Sequence, residues 1–223
     1  LYLDFMAELK EAGQELPTKR SDLIKEIIYK KSIIRDLTDK SKKSKSMVTP
    51  KDAMYEVLSS LAYKMQFENK TTEMDYTDAN DVAGKIFTNL SKEYGELQGH
   101  IKQAKDELAD NDLITMEFGK PVRFKHEIFR EFLVAERISK NLESGNLTYN
   151  GFRENITYRH KGFINKETNK GERLIKPRWK NTLLLLAETH PEKQTLLEKL
   201  SEDYFESEIR YKERKGNKPY NPH

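Results

Sequence analysis

In the stretch VRFKHEIFREFLVAERIS, residues 122–139, a single histidine stands where strand-like alternation gives way to helical spacing. Three roles are open to His126. As a packing residue it would cap a backbone group at the junction of the two elements. As a general base it needs a nucleophile or an orienting acid within hydrogen-bond reach, and its neighbour Glu127 points away once the helix begins. As a phosphate ligand its ring N–H donates to an anion, more strongly when protonated. An ordinary pKa of about 6.5 lets a nearby phosphate hold the charged form. Arg123 and Lys125 are secondary candidates for the same anion, against the plainer role of solvated basic side chains on a hairpin.

The other chemistry-bearing residues form no pattern of this kind. There is no cysteine, which removes disulfides, thiolate nucleophiles and cysteine-ligated zinc together. The histidines at 100, 126, 160 and 190 lack metal-ligand spacing, and no nucleophile motif occurs. A phosphate-cradling G-x-x-x-x-G-K-[ST] loop is also missing. Gly84-Lys85 and Gly119-Lys120 have no glycine five residues earlier and no Ser or Thr after the lysine. Neither a catalytic residue nor a metal site is expected, and the chain cannot hydrolyse ATP by itself.

Composition sets the frame for these residues. The 223 residues are 36% hydrophobic and 35% charged, so much of the surface must be densely charged helix. Forty basic against 37 acidic residues leave a net charge of +3, too small to imply a nucleic-acid partner. No apolar run approaches the roughly 18 residues of a membrane span, and no signal peptide is seen. Asn-x-Ser/Thr sequons at Asn69, Asn89, Asn146 and Asn155 are read as coincidences. The expected location is cytoplasmic, with no membrane partner. Leu1 opens in mid-helical rhythm without a cap, and the expectation is a segment of a longer protein.

Helical signals dominate along the chain. A first helix ends at Gly13, and Thr18 or Ser21 can cap a second that carries Leu23, Ile27, Ile28, Ile34 and Leu37. A Lys/Ser-rich stretch follows from Thr38 to Val48, read as a solvated loop in which Lys42, Lys43 and Lys45 face water. TPKD at 49–52 is a helix start with Thr49 as cap and Pro50 at the first helical position. Met54, Val57, Leu58, Leu61 and Met65 form its apolar stripe. Two more helices, DANDVAGKIFTNL and SKEYGELQGHIKQAKDELA, are weakened by Gly84, Gly95 and Gly99. LITMEFGKPVRFKH then alternates about Gly119-Lys120-Pro121 as a hairpin does. The helix after it buries Ile128, Phe129, Phe132, Leu133, Ala135 and Ile138. Residues 143–178 read as loop-rich, and Trp179 onward as two helices broken at Pro191. The expected fold is mainly α in three parts: a helical subdomain with a basic linker at 1–48, a winged helix at 49–143 with one β-hairpin at about 113–125, and a loop with a C-terminal helical hairpin at 144–223.

Several stretches, in order, resemble the region downstream of the nucleotide-binding core in NACHT-type signal-transduction NTPases of the STAND class. LYLDFMAELKEAGQELPTKRSDLIKEII is similar to that family's helix-turn-helix after the ATPase core. AMYEVLSSLAYKM resembles the helix that opens its winged helix, and RWKNTLLLLAE the helix that follows it. DNDLITMEFGKPVRFKHEIFREFLVAERIS resembles its most specific signature, carried here by Leu113, Phe124, His126, Phe129, Glu131, Phe132, Leu133 and Ala135. Arg130, Phe132 and Val134 depart from the family pattern, which has Gln, Tyr and a small residue there. The resemblance covers roughly residues 1–200.

The resemblance implies that His126 touches the β-phosphate of ADP and holds a closed, inactive state. It implies ADP or ATP as the cofactor of the intact protein, with none bound by this segment alone. It further implies an upstream nucleotide-binding core, sensor or effector domains in the same protein, homo-oligomers on activation, and a place in innate immunity or antiphage defence. Glu131 is expected on the helix surface. The alternatives are a structural helical scaffold and a DNA-binding winged helix. The recognition helix of the latter would be about 91–110, where three lysines face five acids, the wrong sign for a groove.

Overall fold

The 3.6-residue apolar spacing of the second expected helix becomes α1 (Arg20–Lys31), which buries Leu23, Ile24, Ile27 and Ile28. Each such side chain contributes roughly 1.5–3 kcal/mol on burial. These coordinates are a computed structural model that describes residues 17–31, 49–165 and 170–201, together with 6, 7, 10, 11, 13 and 15. The basic stretch with Lys42, Lys43 and Lys45, and residues Ile34 and Leu37, lie outside the described residues. Gly13 closes the turn before α1 with φ +69, a conformation open to glycine. Ser21 falls inside α1 and so is not its cap.

The chain divides into two compact units, 1–137 and 138–223. In the first, α2 (Lys51–Tyr63) buries Ala53, Met54, Val57, Leu58 and Leu61 and runs on as a π-helical turn, Lys64–Glu68. Its cap differs from the expected one. Pro50 sits outside the helix at ψ 146 and its carbonyl accepts from the Met54 N–H at 3.0 Å, so Pro50 is the N-cap. Thr49 makes no cap bond. Its backbone N–H donates to Glu107 at 3.0 Å instead. Then come β1 (Glu73–Met74) and α3 (Tyr76–Leu90), with Ala79, Ala83 and Phe87 buried at i, i+4 and i+8. The expected helix from 91 is interrupted: Gly95–Leu97 form a 3-10 turn and Gly99 takes φ +82, leaving α4 as Ile101–Ala109.

The period then changes as expected. β2 (Ile114–Thr115) and β3 (Val122–Phe124) pair antiparallel, Ile114 opposite Phe124 and Thr115 opposite Arg123. β1 adds to the other side of β3, Glu73 opposite Arg123, which gives the order β1-β3-β2. Helix, strand, two helices, two strands: this is winged-helix topology, and the chain is mainly helical as anticipated. The hairpin tip is closed by the Lys120 N–H to the Glu117 carbonyl at 3.1 Å and by an ion pair of the same two side chains. α5 (Glu127–Glu143) follows, buried at every residue from Phe129 to Ala135.

In the second unit the expected loop holds two regular elements. α6 (Tyr149–Ile156) is capped by the Thr148 hydroxyl, which accepts from the Gly151 N–H at 3.1 Å. β4 (Thr157–Asn165) and β5 (Lys170–Ile175) then form a second antiparallel hairpin, so one hairpin was too few. Its sequence, TYRHKGFIN and KGERLI, is so polar that backbone pairing rather than apolar alternation must define it. A 3-10 turn, Pro177–Trp179, leads into α7 (Lys180–Thr189) and α8 (Lys193–Ser201), the helical pair expected around Pro191. Ile138, Leu142, Phe152, Ile156, Trp179, Leu185, Leu186 and Leu196 are its buried apolar residues among those described, with Phe152 edge-on to Trp179 at 6.2 Å.

One carboxylate ties three helices of the first unit. Glu136 of α5 accepts from the Tyr55 hydroxyl of α2 and from Lys25 Nζ of α1 at 2.9 Å. The Tyr55 ring stacks on Tyr29 at 5.0 Å, and Arg137 pairs with Glu56 alongside. Burial and then the Glu136 charge push the Tyr55 hydroxyl far above its ordinary pKa, so it stays a donor. Glu136→Ala is expected to cost about 1–3 kcal/mol, because it removes the carboxylate that accepts from a buried hydroxyl and from Lys25. Lys25→Met should cost under about 1 kcal/mol, since the ammonium is half exposed. Urea denaturation of the two variants checks the order.

Candidate functional site

Alternation along β3 decides which side chains reach water at its end. Val122 and Phe124 point into the core, and Arg123 and Lys125 are exposed on the opposite side. His126 comes next, immediately before α5, and it too is exposed. Its carbonyl accepts from the Phe129 N–H at 3.2 Å, while its ring stands edge-on to the buried Phe129 ring at 5.6 Å. Among the described residues the imidazole makes no hydrogen bond or ion pair. His126 is therefore no core residue, and the packing role is set aside. The general-base role lacks its parts as well: Glu127 is largely solvated and lies 3.9 Å from the Arg130 guanidinium.

Lys125 Nζ lies 3.4 Å from Asp112, both about half exposed, a contact worth little in water. Arg123 is flanked across the sheet by Glu73 and Thr115. The first N–H groups of α5 open at the same corner, where the helix presents its positive end. Arg123, Lys125 and His126 are thus exposed within four residues of one another where β3 gives way to α5, and Glu73, Asp112 and Glu127 stand close in the chain or sheet. Such a corner can donate to a single anion. Its near-neutral charge does not make a nucleic-acid track. α4 agrees: Lys102 and Lys105 stand against Asp106 and Glu107, and the Lys105 stem lies across Gly84, where a Cβ would come within 2.9 Å of its Cε.

Glu131 is not on the helix surface as expected. It is 6% exposed, because α5 packs on more than one side through this stretch. Among the described residues no three His, Asp or Glu side chains stand close enough to hold a metal ion, and no helix is long and apolar enough to cross a membrane.

A second constellation escaped the sequence, because its members lie up to 51 residues apart. In the second unit Ser139 Oγ is 2.7 Å from Glu143 Oε1 and 2.9 Å from His190 Nδ1, and Tyr149 Oη is 3.1 Å from His190 Nε2. A carboxylate only accepts, so Ser139 spends its proton on Glu143 and accepts from an Nδ1–H. In the neutral ring Nε2 is then bare and accepts from Tyr149. Nucleophilic catalysis needs the reverse, a serine proton directed at the imidazole. With Ser139 4% and His190 1% exposed, the cluster is a buried fastening of α5 and α6 to the end of α7. The only local signal was the break at Pro191, which leaves His190 at the α7 C-cap. Ser139→Ala should leave the Nδ1–H without its acceptor at a cost of about 1–3 kcal/mol, and Tyr149→Phe less. Thermal denaturation checks both, and nitrogen NMR of His190 should show Nε2 as the unprotonated ring nitrogen.

No protein-family model, curated protein or solved structure matches the chain.

Proposed function

We propose that this chain is the helical and winged-helix part of a nucleotide-switched NTPase of the NACHT-type STAND class. In that role it clamps over an upstream nucleotide-binding core, holds the ADP-bound state through His126, and relays activation to sensor or effector domains or to a homo-oligomer. A cytoplasmic defence protein would use such a switch. The observation that carries this reading is the exposed imidazole at the β3–α5 corner of a winged helix. It is propped on Phe129 and spends neither ring nitrogen on the described residues. Arg123 and Lys125 add positive charge at the same edge. Residue order in the resembling stretches supports it too.

The test uses the gene product that includes the nucleotide-binding core. A charge-assisted hydrogen bond contributes roughly 1.5–3 kcal/mol. His126→Ala should therefore retain ADP about 10- to 100-fold more weakly, with an intact fold and spontaneous assembly, since a loss of this size shifts a switch balanced by a few kcal/mol. Lys125→Ala should do much less. ADP affinity by calorimetry and oligomer size by light scattering report both. Unchanged affinity and assembly in the His126 variant overturn the proposal and leave a structural scaffold.

A further inference from the structure

The connection from α2 to β1 is built from conformations that a chain does not choose alone. α2 ends in the π-helical turn Lys64–Glu68, and Lys70 takes φ +59, the only positive φ at a non-glycine among the described residues. Both features are uncommon and persist only where the surroundings hold them. Local bonds close part of this connection. The Asn69 N–H donates to the Lys64 carbonyl and the Thr71 N–H to the Met65 carbonyl, each at 2.8 Å, and the Thr71 hydroxyl reaches the Glu73 carbonyl at 2.7 Å.

One side chain from elsewhere in the chain grips both ends of it. Arg130, in the first turn of α5, is 6% exposed. Its Nε donates to Gln66 Oε1 in the π turn at 3.2 Å, and its Nη1 to the Thr72 carbonyl just before β1 at 3.5 Å. Burial pushes the guanidinium below its ordinary pKa while Glu127 and Glu131 pull it back, and arginine keeps its charge at neutral pH regardless. The grip has a direct geometric consequence. β1 pairs with β3 at Arg123, and α5 begins beside His126, so the residues that Arg130 holds together support the strand end and helix start that flank His126.

We infer that Arg130 is a positioning residue. It fixes the first turn of α5 against the π turn and β1, and so sets the pose in which His126 is offered to an anion. This deepens the function proposed above and rests on it. A fork rather than a point charge is required, because two acceptors on either side of a bent connection must be met at once.

The test has two arms. In the 223-residue chain without nucleotide, Arg130→Met should speed amide hydrogen exchange across 64–74 and 126–130 while leaving 182–189 unchanged. Gln66→Ala breaks the same bond from the other side and should do likewise, which covers the case in which the Arg130 variant folds poorly. In the protein that carries the nucleotide-binding core, Arg130→Met should weaken ADP retention, and Arg130→Lys should restore only part of it. The double variant with His126→Ala should be no weaker than His126→Ala alone, because the two residues act on one contact. Additive losses, or unchanged exchange in 64–74 and 126–130, overturn the inference. If His126→Ala alone leaves ADP retention unchanged, the proposed function falls, and the exchange arm still decides whether Arg130 holds the corner.

Discussion

A helical stretch buried on every side cannot leave its polar residues to water, and the middle of α5 imposes that constraint on the first unit. From Phe129 to Ala135 each residue is buried, including Arg130 and Glu131, and Glu136 follows at the edge. Placing charges there without partners costs several kcal/mol each. The neighbours are arranged around this demand: α2 supplies Tyr55 and Glu56, its π turn supplies Gln66, and α1 supplies Lys25. The apolar stripe sets which elements meet, and the polar pairs set how they are registered.

The candidate site lies at the amino end of the same helix. A strand that alternates in and out delivers Arg123 and Lys125 to solvent, and the turn into α5 delivers His126 to the same edge. Because Phe129 is locked in the core, its ring gives the imidazole a fixed backing. A rigid backing with free ring nitrogens suits recognition of a ligand brought by another body, since little ordering remains to be done on binding.

Much of this fold was legible in the residues, and the exceptions have physical causes. The switch of period at 113–125 marked the wing, and leucines 183–186 with Trp179 marked α7. β1 was invisible because two residues carry no period. The second hairpin was hidden by its polarity. The break before α4 lay in Gly95 and Gly99, which weaken the helix the sequence suggests so far that α4 starts only beyond Gly99. At the candidate site, residue type and position singled out His126, Arg123 and Lys125, and the structure shows all three exposed. The burial of Arg130 and Glu131 and the pairing of Ser139 with His190 depend on what lies across the fold, which no local pattern records.

The indole of Trp179 divides the molecule for an observer. It is the only tryptophan in the chain, fully buried and edge-on to Phe152 in the second unit. Intrinsic tryptophan emission therefore reports the polarity around one core alone, while far-ultraviolet dichroism sums the helices of both. Any gap between the two signals during unfolding measures the independence of the two units without a single label.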